Sequence, residues 1–401
     1  MTCPAASDCD CATDRVAAPT LYQSEAPSTK PVLRHDNADT APETSSTLMQ
    51  SYVKNVVDML VQMDRRSPDY SSEACQHEFH HLYLQTAAHF AEPSYALTVD
   101  TSVLQRLTHS MVRFVSYCWP GHASEVKTDL CILFVYYGIL DDWYKDNLSE
   151  GMRDFSKDMI NGSEQKNSWW QAVNKHLLSL LEHYGSFCSL NIFRGTLDFY
   201  QGCWIEQHDF QGTRGSHNYP DFLRRLNGFG PIIGASLFTT GMFDETDNIP
   251  IIASVISEIE QWELYVNDLL SFYKEYFGTD KQEQANFISN YAHCAGITMQ
   301  KSLSRILDKI TLSNNALVEM LPNVDPKTKR VVDNFMLGYT AFHFTDARYR
   351  MSELVDQAED LEVEGAQDLR RFYEIARAGS DQGPLRWASP SLQDMTENSH
   401  E

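Results

Sequence analysis

The sequence predicts an all-α protein with one folded domain, and three observations support this fold class. Apolar residues recur at intervals of three and four through most of the chain, which is the spacing of amphipathic helices. Clusters of glycine and proline separate these segments, and strand-like alternation with hairpin turns is nearly absent. Residues 1–46 are rich in Ala, Pro, Ser, Thr and Asp without apolar periodicity, so we expect a disordered extension there. The domain then covers residues 47–378, and a mostly irregular tail follows over 379–401.

The predicted helices follow one another along the whole domain. Helical spacing is clearest in three groups, which are Val53, Val56, Val57, Leu60 and Val61; Leu177, Leu180 and Leu181; and Val332, Phe335 and Met336. Breaks are predicted at Pro120–Gly121, Gly212–Gly215, Asp247–Pro250 and Pro322–Pro326. A domain of this length exceeds the usual size of one hydrophobic core, which favours helices arranged around a sizeable internal cavity.

The overall charge restricts the partners of the protein. The 401 residues carry a formal net charge of −23, which would repel nucleic acid and anionic membrane surfaces. No apolar run reaches the roughly 20 residues of a membrane span, and the N-terminus lacks the pattern of a signal peptide. Nine cysteines at irregular spacings indicate reduced thiols, so we expect a cytoplasmic protein. A chain this acidic needs divalent cations or a local basic cluster to bind an anionic substrate.

An aspartate cluster ends the most apolar of the predicted helices. The apolar run CILFVYYGIL ends at Leu140. Asp141 and Asp142 follow it directly, and Asp146 comes four residues after Asp142. Asp142 and Asp146 are four residues apart and would share a helix face, with Asp141 at its border. Carboxylates in such a place are costly unless they reach water or a cation, and Mg²⁺ prefers oxygen ligands of this kind. A solvated helix end is the simpler interpretation when the cluster is taken alone.

A second polar line has the spacing of one helix face. Asn267, Ser271 and Glu275 follow one another at intervals of four residues, so their side chains would stack along the same side of a helix. An amide oxygen, a hydroxyl and a carboxylate make a site for a hard cation that needs no imidazole or thiolate. Lys274 stands beside this line, where it could meet a phosphate. An ordinary polar stripe would explain the line alone, but the earlier aspartate cluster favours a pair of metal motifs.

Two basic segments are candidates for binding an anion. The helical segment from Phe222 to Pro231, which contains Arg224, is interrupted by Gly and Pro, and such a break frees backbone groups to face a ligand. Arg348 and Tyr349 lie in a segment that we expect to belong to a long helix. Arginine side chains match phosphate oxygens in pairs. A surface salt bridge is the alternative interpretation for either arginine.

Four aromatic residues are candidates for the wall of a pocket. Phe134 and Tyr137 lie seven and four residues before Asp141, on its own helix face. Tyr339 and Phe342 occupy the same positions relative to the acid that opens the second basic segment. Electron-rich ring faces attract cations, as an enzyme that handles a carbocation requires. A generic aromatic core is the alternative.

The two metal motifs resemble the aspartate-rich and Asn/Ser/Glu motifs of class I terpene synthases, and the wider sequence resembles the fungal trichodiene synthase family. The likeness runs from about Leu48 to Arg386 and is densest in WWQAVNKH, FCSLNIFRGTLDFYQGCWIEQ, YPDFLRRLNGFG, VNDLLSFYKE and RYRMSE. It implies a class I terpenoid synthase helical bundle around a central active-site cavity. It also implies a homodimeric sesquiterpene cyclase that ionises farnesyl diphosphate with three Mg²⁺ ions and releases diphosphate.

The resemblance further implies a role for each matching residue. The metal ligands would be Asp141, Asn267, Ser271 and Glu275. The diphosphate-binding residues would be Arg224, Lys274, Arg348 and Tyr349. Arg224 would sense the diphosphate, and the helix break at Asn227 and Gly228 would link binding to ionisation.

The sequence departs from the family pattern at three positions. Lys145 replaces the acid expected at the fifth position of the aspartate motif, which leaves a direct metal role for Asp142 or Asp146 open. Phe342 stands where the family has a Trp, and Phe134 where it has a Tyr. Because pocket shape steers the folding of the cation, we expect a polycyclic product other than trichodiene. A related activity in the family, longiborneol synthase, makes a bridged tricyclic alcohol by water capture. We therefore expect longiborneol as the product.

Other functions agree less well with the sequence. A chain-elongating prenyltransferase would need a second aspartate-rich motif in place of the Asn/Ser/Glu line. A di-iron carboxylate bundle would need two Glu-x-x-His repeats, and only Glu78 to His81 fits. Two alternatives stay open, which are trichodiene synthase proper and a non-catalytic paralogue that binds isoprenoid diphosphates. Stabilisation by Mg²⁺ and diphosphate would separate a binder or a cyclase from a plain helical scaffold.

Overall fold

Helices make up the regular structure of the protein wherever the chain is described. The computed structural model describes residues 44–63, 69–91, 99–142, 146–209, 211–278, 286–380 and Leu392. Within these ranges the only strand-like pairing is an isolated bridge between Tyr184 and Thr239, which confirms the all-α prediction. The described residues belong to one compact unit that spans residues 41–401. The predicted extension up to residue 43, and the tail beyond residue 380 except Leu392, lie outside the described residues.

The helices are, in chain order, α1 (Ser45–Met63), α2 (Glu73–Phe90), α3 (Thr101–Cys118), α4 (Ser124–Asp142), α5 (Asp146–Ile160), α6 (Ser168–Leu181), α7 (Ser186–Asp209), α8 (Tyr219–Asn227), α9 (Gly230–Ser236), α10 (Glu245–Tyr276), α11 (Phe287–Ala295), α12 (Met299–Met320), α13 (Pro326–Thr345), α14 (Met351–Asp360) and α15 (Ala366–Ala378). Short 3-10 helices cover Leu321–Asn323 and Ala347–Tyr349.

Side-chain caps define where several of these helices begin. The carboxylate of Asp100 accepts from the first backbone amides of α3, and Asp325 does the same for α13, which starts with a proline. Asp244 accepts from the amide of Thr246 at the start of α10, at 3.0 Å. An acceptor in this position satisfies backbone N–H groups that have no partner inside the helix.

Three of the four predicted breaks coincide with the change from one α-helix to the next, and one does not. Asp247–Pro250 was expected to end a helix, but these residues form the first turns of α10. The cap at Asp244 starts the helix before them. Pro250 is an interior residue of this helix, where it removes one backbone hydrogen bond, and the helix continues past it.

The interior is apolar and continuous around α4. Every residue from Leu130 to Leu140 is buried, as the uninterrupted apolar run predicts. Helix α3 packs against α4 and α13, α7 packs against α8 and α9, and α10 packs against α9, α12 and α13. Val61 is an exception to the predicted pattern of α1, because its side chain is largely exposed. No helix within the described ranges is long and apolar enough to cross a membrane.

Candidate active site

Helix α10 carries Asn267, Ser271 and Glu275 near its C-terminal end, four residues apart and so on one side. Ser271 is only 1 % exposed, and its hydroxyl has no hydrogen-bond partner in the part of the chain that is described. A buried hydroxyl without a partner is costly unless a ligand satisfies it. Because its neighbours in the line are an amide oxygen and a carboxylate, these residues fit a hard cation such as Mg²⁺.

The guanidinium of Arg224 lies beside this line and is held by α10. Its Nε is 2.8 Å from Oδ1 of Asp268, and a terminal nitrogen donates to Oδ1 of Asn267 at 2.9 Å. The same nitrogen donates to the carbonyl oxygen of Leu264 at 3.4 Å. Burial lowers the pKa of Arg224, but the charges of Asp268 and Glu263 raise it by more, so the group stays cationic. The sensor that the sequence predicts therefore contacts a predicted metal ligand directly.

Two buried carboxyl groups surround this guanidinium. Burial raises the pKa of Asp268 to about 7, against the opposing effect of Arg224. Burial likewise raises the pKa of Glu263 to about 7, and the hydroxyl of Tyr339 donates to Oε1 of Glu263 at 2.7 Å. One guanidinium cannot balance two carboxylates that have lost their water, so both resist ionisation.

A hydrogen-bond chain fixes the far side of the Asn267 amide. Its Nδ2 is 3.1 Å from Nε2 of His343, and Nδ1 of His343 is 2.8 Å from the carbonyl oxygen of Tyr339. Burial lowers the pKa of His343 to about 3, so the ring is neutral and carries one N–H. A carbonyl oxygen can only accept, which places that N–H on Nδ1 and leaves Nε2 to accept from Asn267.

The helix break predicted beside Arg224 is present. Helix α8 ends at Asn227, and Gly228 follows with an extended backbone at φ −88° and ψ 161°. A Cβ atom at Gly228 would lie 1.9 Å from Cδ2 of Leu264 and 2.8 Å from the carbonyl oxygen of Arg224, so the packing requires glycine. The side-chain amide of Asn227 donates to Glu206 on α7. Packing against α7 and α10 therefore holds the break in place.

Asp141 meets the second basic segment at the end of α4. Its Oδ2 is 3.4 Å from a terminal nitrogen of Arg348. A helix C-terminus carries partial negative charge, so an aspartate is unfavourable there without a cation. Asp142 ends α4 and Asp146 begins α5, so the two belong to different helices and not to one shared face as predicted. Lys145 lies outside the described residues.

Arg348 and Tyr349 lie in a short turn, so the prediction of a long helix there was wrong. Helix α13 ends before Asp346, whose carboxylate accepts from the amide of Arg348 at 3.0 Å. The other oxygen of Asp346 pairs with Arg113 of α3 at 2.8 Å. Arg350 then adopts a left-handed conformation with φ 56°. A capping aspartate followed by a left-handed residue interrupts the helix and turns Arg348 toward Asp141.

Tyr349 and Lys274 connect this turn to the polar line on α10. The ring centroid of Tyr349 is 4.2 Å from that of His343, and Nζ of Lys274 lies 5.9 Å from the Tyr349 ring. The same Nζ is 3.9 Å from Oε1 of Glu275. These contacts thus bring the polar line, the helix break and the turn into one region. Asp141 contacts this region through Arg348.

Three of the four predicted aromatic residues surround Phe114 of α3. The ring centroids of Phe134 and Phe342 lie 5.1 and 5.0 Å from that of Phe114. Tyr339 lies 5.9 Å from the same ring. Edge-on and tilted contacts at these distances are favourable arrangements for aromatic pairs. Helices α4 and α13 therefore place the predicted wall residues in one buried cluster.

Tyr137, the fourth predicted aromatic residue, links this cluster to the helix break. Its ring stacks on Phe229, which directly follows Gly228, with centroids 5.4 Å apart. Phe229 also lies 5.9 Å from Phe134. The hydroxyl of Tyr137 shares a 2.5 Å hydrogen bond with Thr196 of α7. The break therefore has the Arg224 network on one side and the aromatic cluster on the other.

Sequence reasoning missed five residues that support this region: Phe114, Phe229, Glu263, Asp268 and His343. Asp268 and Phe229 stand inside the motifs VNDLLSFYKE and YPDFLRRLNGFG, and this position is the signal that the sequence contains for them. Glu263 precedes Asn267 by four residues, which puts the two on the same helix face. His343 follows Tyr339 by the same interval, whereas Phe114 has no comparable signal in the sequence.

Comparisons with known proteins agree with this arrangement. The family model described as trichodiene synthase (TRI5) matches residues 47–401. Trichodiene synthase of Fusarium culmorum is 36 % identical over 346 residues, which is 86 % of this chain and 92 % of that protein. Trichodiene synthase of Gibberella zeae matches with the same identity and coverage. Fold and relatives together define the chain as a terpene cyclase, a lyase that acts on an isoprenyl diphosphate. The chain belongs to the trichodiene synthase family.

A solved structure shares the fold. A variant of SVS_A2, a protein obtained by ancestral sequence reconstruction, matches with a TM-score of 0.50 at 12 % identity, over 84 % of this chain and 98 % of that one. The family membership confirms the resemblance read from the motifs, the helical class I terpenoid synthase fold and the enzyme class. It also supports cyclisation of farnesyl diphosphate to a sesquiterpene as the general activity.

Proposed function

We propose that this protein is a Mg²⁺-dependent sesquiterpene synthase that converts farnesyl diphosphate to longiborneol or a related polycyclic product rather than to trichodiene. The residues that would hold three Mg²⁺ ions are Asp141, Asn267, Ser271 and Glu275. When bound, such ions would neutralise the charge that develops on the diphosphate leaving group. The observation that carries the proposal is the buried hydroxyl of Ser271, which has no hydrogen-bond partner among the described residues and stands in line with an amide and a carboxylate.

The two arginines support binding of the diphosphate next to the ions. Arg224 donates to Asn267, and Arg348 pairs with Asp141, so each arginine occupies an oxygen of a proposed metal ligand. A diphosphate would offer both guanidinium groups more strongly charged acceptors. We therefore expect the arginines to turn toward the diphosphate and release those oxygens for metal binding. Nζ of Lys274 lies 5.9 Å from the ring of Tyr349, which directly follows Arg348, and these two side chains would complete the binding surface.

The helix break offers a physical link between diphosphate binding and the hydrocarbon pocket. Asn227 and Gly228 separate Arg224 from Phe229, which packs on Tyr137. Because only four residues lie between Arg224 and Phe229, a movement of Arg224 would displace the Phe229 ring and with it the aromatic cluster. In that cluster, buried ring faces exclude water and stabilise positive charge on the substrate.

The product assignment rests on the two aromatic departures from the family pattern. Phe134 and Phe342 contact the same ring of Phe114, although they lie on different helices. Replacement of a Tyr and a Trp by two Phe residues at adjacent places would change both the volume and the polarity of one wall. Such a change supports a different course of cation folding.

Incubation of the purified protein with farnesyl diphosphate and Mg²⁺, followed by gas chromatography with mass detection, tests the proposal. A cyclic sesquiterpene that disappears with EDTA is the expected result, and the mass of an alcohol would show water capture. Trichodiene as the main product would contradict the product assignment alone. Binding of Mg²⁺ and diphosphate without turnover would instead identify a non-catalytic paralogue that binds isoprenoid diphosphates.

We also propose a homodimer, as the family resemblance implies, and a cytoplasmic location, as the number and spacing of the cysteines indicate. Size-exclusion chromatography with light scattering would give a dimer mass if this is correct. A monomer at every protein concentration would contradict the dimer. Fluorescence microscopy of a tagged full chain would test the location.

A further inference from the structure

The Asn267 amide is the point where the polar line on α10 meets two other side chains. Arg224 donates to its Oδ1 at 2.9 Å, and its Nδ2 lies 3.1 Å from Nε2 of His343. An arginine can only donate hydrogen bonds, so the amide atom that faces it is the oxygen. The atom that faces His343 is then the nitrogen. Arg224 and His343 therefore both require the same orientation of the amide, although the flipped orientation has nearly the same shape.

His343 is fixed in the state that this orientation needs. Its Nδ1 donates to the carbonyl oxygen of Tyr339 at 2.8 Å, one turn earlier on α13. The ring is only 1 % exposed, and it packs between the rings of Tyr339 and Tyr349 at 4.6 and 4.2 Å. Because Nδ1 carries the hydrogen and the ring cannot turn freely, Nε2 presents a lone pair to Asn267.

We propose that His343 is a positioning residue for the metal site, because it holds the Asn267 amide with its oxygen available to a cation. The inference rests on the proposed function, in which Asn267 is a ligand. An amide turned the other way would present an NH₂ group, which cannot bind Mg²⁺. The Arg224 bond cannot secure the orientation throughout, since we expect Arg224 to turn toward the diphosphate. The bond to His343 is the one that persists.

Two substitutions at this position separate hydrogen bonding from packing. His343→Leu fills the space without an acceptor, whereas His343→Gln offers an amide oxygen close to the place of Nε2. Partners that orient metal ligands contribute about 10–100-fold to metal affinity, so His343→Leu should weaken Mg²⁺ binding by about tenfold or more. His343→Gln should stay within about threefold of the parent protein, because its amide oxygen still accepts the hydrogen bond from Asn267.

The measurement is isothermal titration of Mg²⁺ into the full chain with inorganic diphosphate present. His122→Leu is a matched control, because it removes another buried imidazole that bonds to a backbone carbonyl, that of Leu237. It should lower the melting temperature without a change in Mg²⁺ affinity. Parent-like affinity in His343→Leu, or equal losses in His343→Leu and His343→Gln, would overturn the positioning role. No Mg²⁺ binding by the parent protein would overturn the proposed function as well.

Nitrogen NMR gives a second test that does not depend on folding of the leucine variant. In protein labelled with ¹⁵N at histidine, the signal that disappears in His343→Gln belongs to residue 343. It should show the tautomer with hydrogen on Nδ1, both alone and with Mg²⁺ and diphosphate. Hydrogen on Nε2 would overturn the inference, because Nε2 could then not accept from Asn267.

Discussion

Replacement of Glu263 by Gln tests the buried network around Arg224. Glu263 is 3 % exposed, and burial raises its pKa to about 7. The hydroxyl of Tyr339 donates to its Oε1 at 2.7 Å, and an amide oxygen in the same place can still accept this bond. The substitution therefore removes the titration and the charge while the shape of the side chain is nearly kept.

The sign and size of the effect follow from proton linkage. The ordinary pKa of this group is 4.5, so between about pH 4.5 and 7 the folded protein binds more protons here than the unfolded chain. The stability that Glu263 contributes is fully present below the lower value and is lost as the pH rises through the higher one. A rise of this size corresponds to a ceiling of about 3 kcal/mol. Because Asp268 and Arg224 share the site, we expect a measured difference of about 1–3 kcal/mol.

Urea unfolding at a series of pH values from about 5 to about 8 measures this difference. The free energy of unfolding of the parent protein should fall more steeply with pH than that of Glu263→Gln. Glu258→Gln serves as a control for the removal of one negative charge from α10, at a partly exposed glutamate. Equal slopes in the parent protein and Glu263→Gln would refute the reasoning, since the carboxyl group would then gain no protons on folding.

Four further substitutions test the site. Asn267→Ala or Glu275→Ala should abolish cyclisation while the helical circular dichroism is retained, and full activity in either would refute the metal assignment. Phe342→Trp should change the ratio of products in gas chromatography more than the rate, and an unchanged ratio would remove this ring from the pocket wall. Gly228→Ala should cost about 1–3 kcal/mol in unfolding experiments, because the added carbon overlaps Leu264, and an unaltered stability would contradict that overlap.

The sequence predicted the helical fold and much of the local geometry of the site. Asn267, Ser271 and Glu275 share one side of α10 because a spacing of four is a property of the helix itself. The break at Gly228 was also predictable, because two glycines and a proline within four residues (Gly228–Pro231) disfavour a continuous helix. These features depend on neighbours in the chain, and a sequence displays neighbours directly.

The predictions that failed depend on contacts between distant residues. Arg348 was assigned to a long helix, but Arg113 of α3 holds the aspartate that caps a new turn there. The role of His343 depends on an amide 76 residues away. Only the folded chain shows such pairs.

Helix α13 contributes residues to both the aromatic cluster and the proposed metal site, and this restricts how the enzyme could be redesigned. Phe342 touches the aromatic cluster, while its direct neighbour His343 holds the amide of Asn267. A substitution at Phe342 that is intended to reshape the pocket will also displace the imidazole of His343 if it rotates or shifts the backbone of α13. A mutant library at Phe342 should therefore be screened for Mg²⁺ requirement together with product identity. A variant at Phe342 can lose activity because His343 is displaced and Mg²⁺ binds more weakly, even if the pocket still fits the substrate. A higher Mg²⁺ concentration in the assay would restore the activity of such a variant.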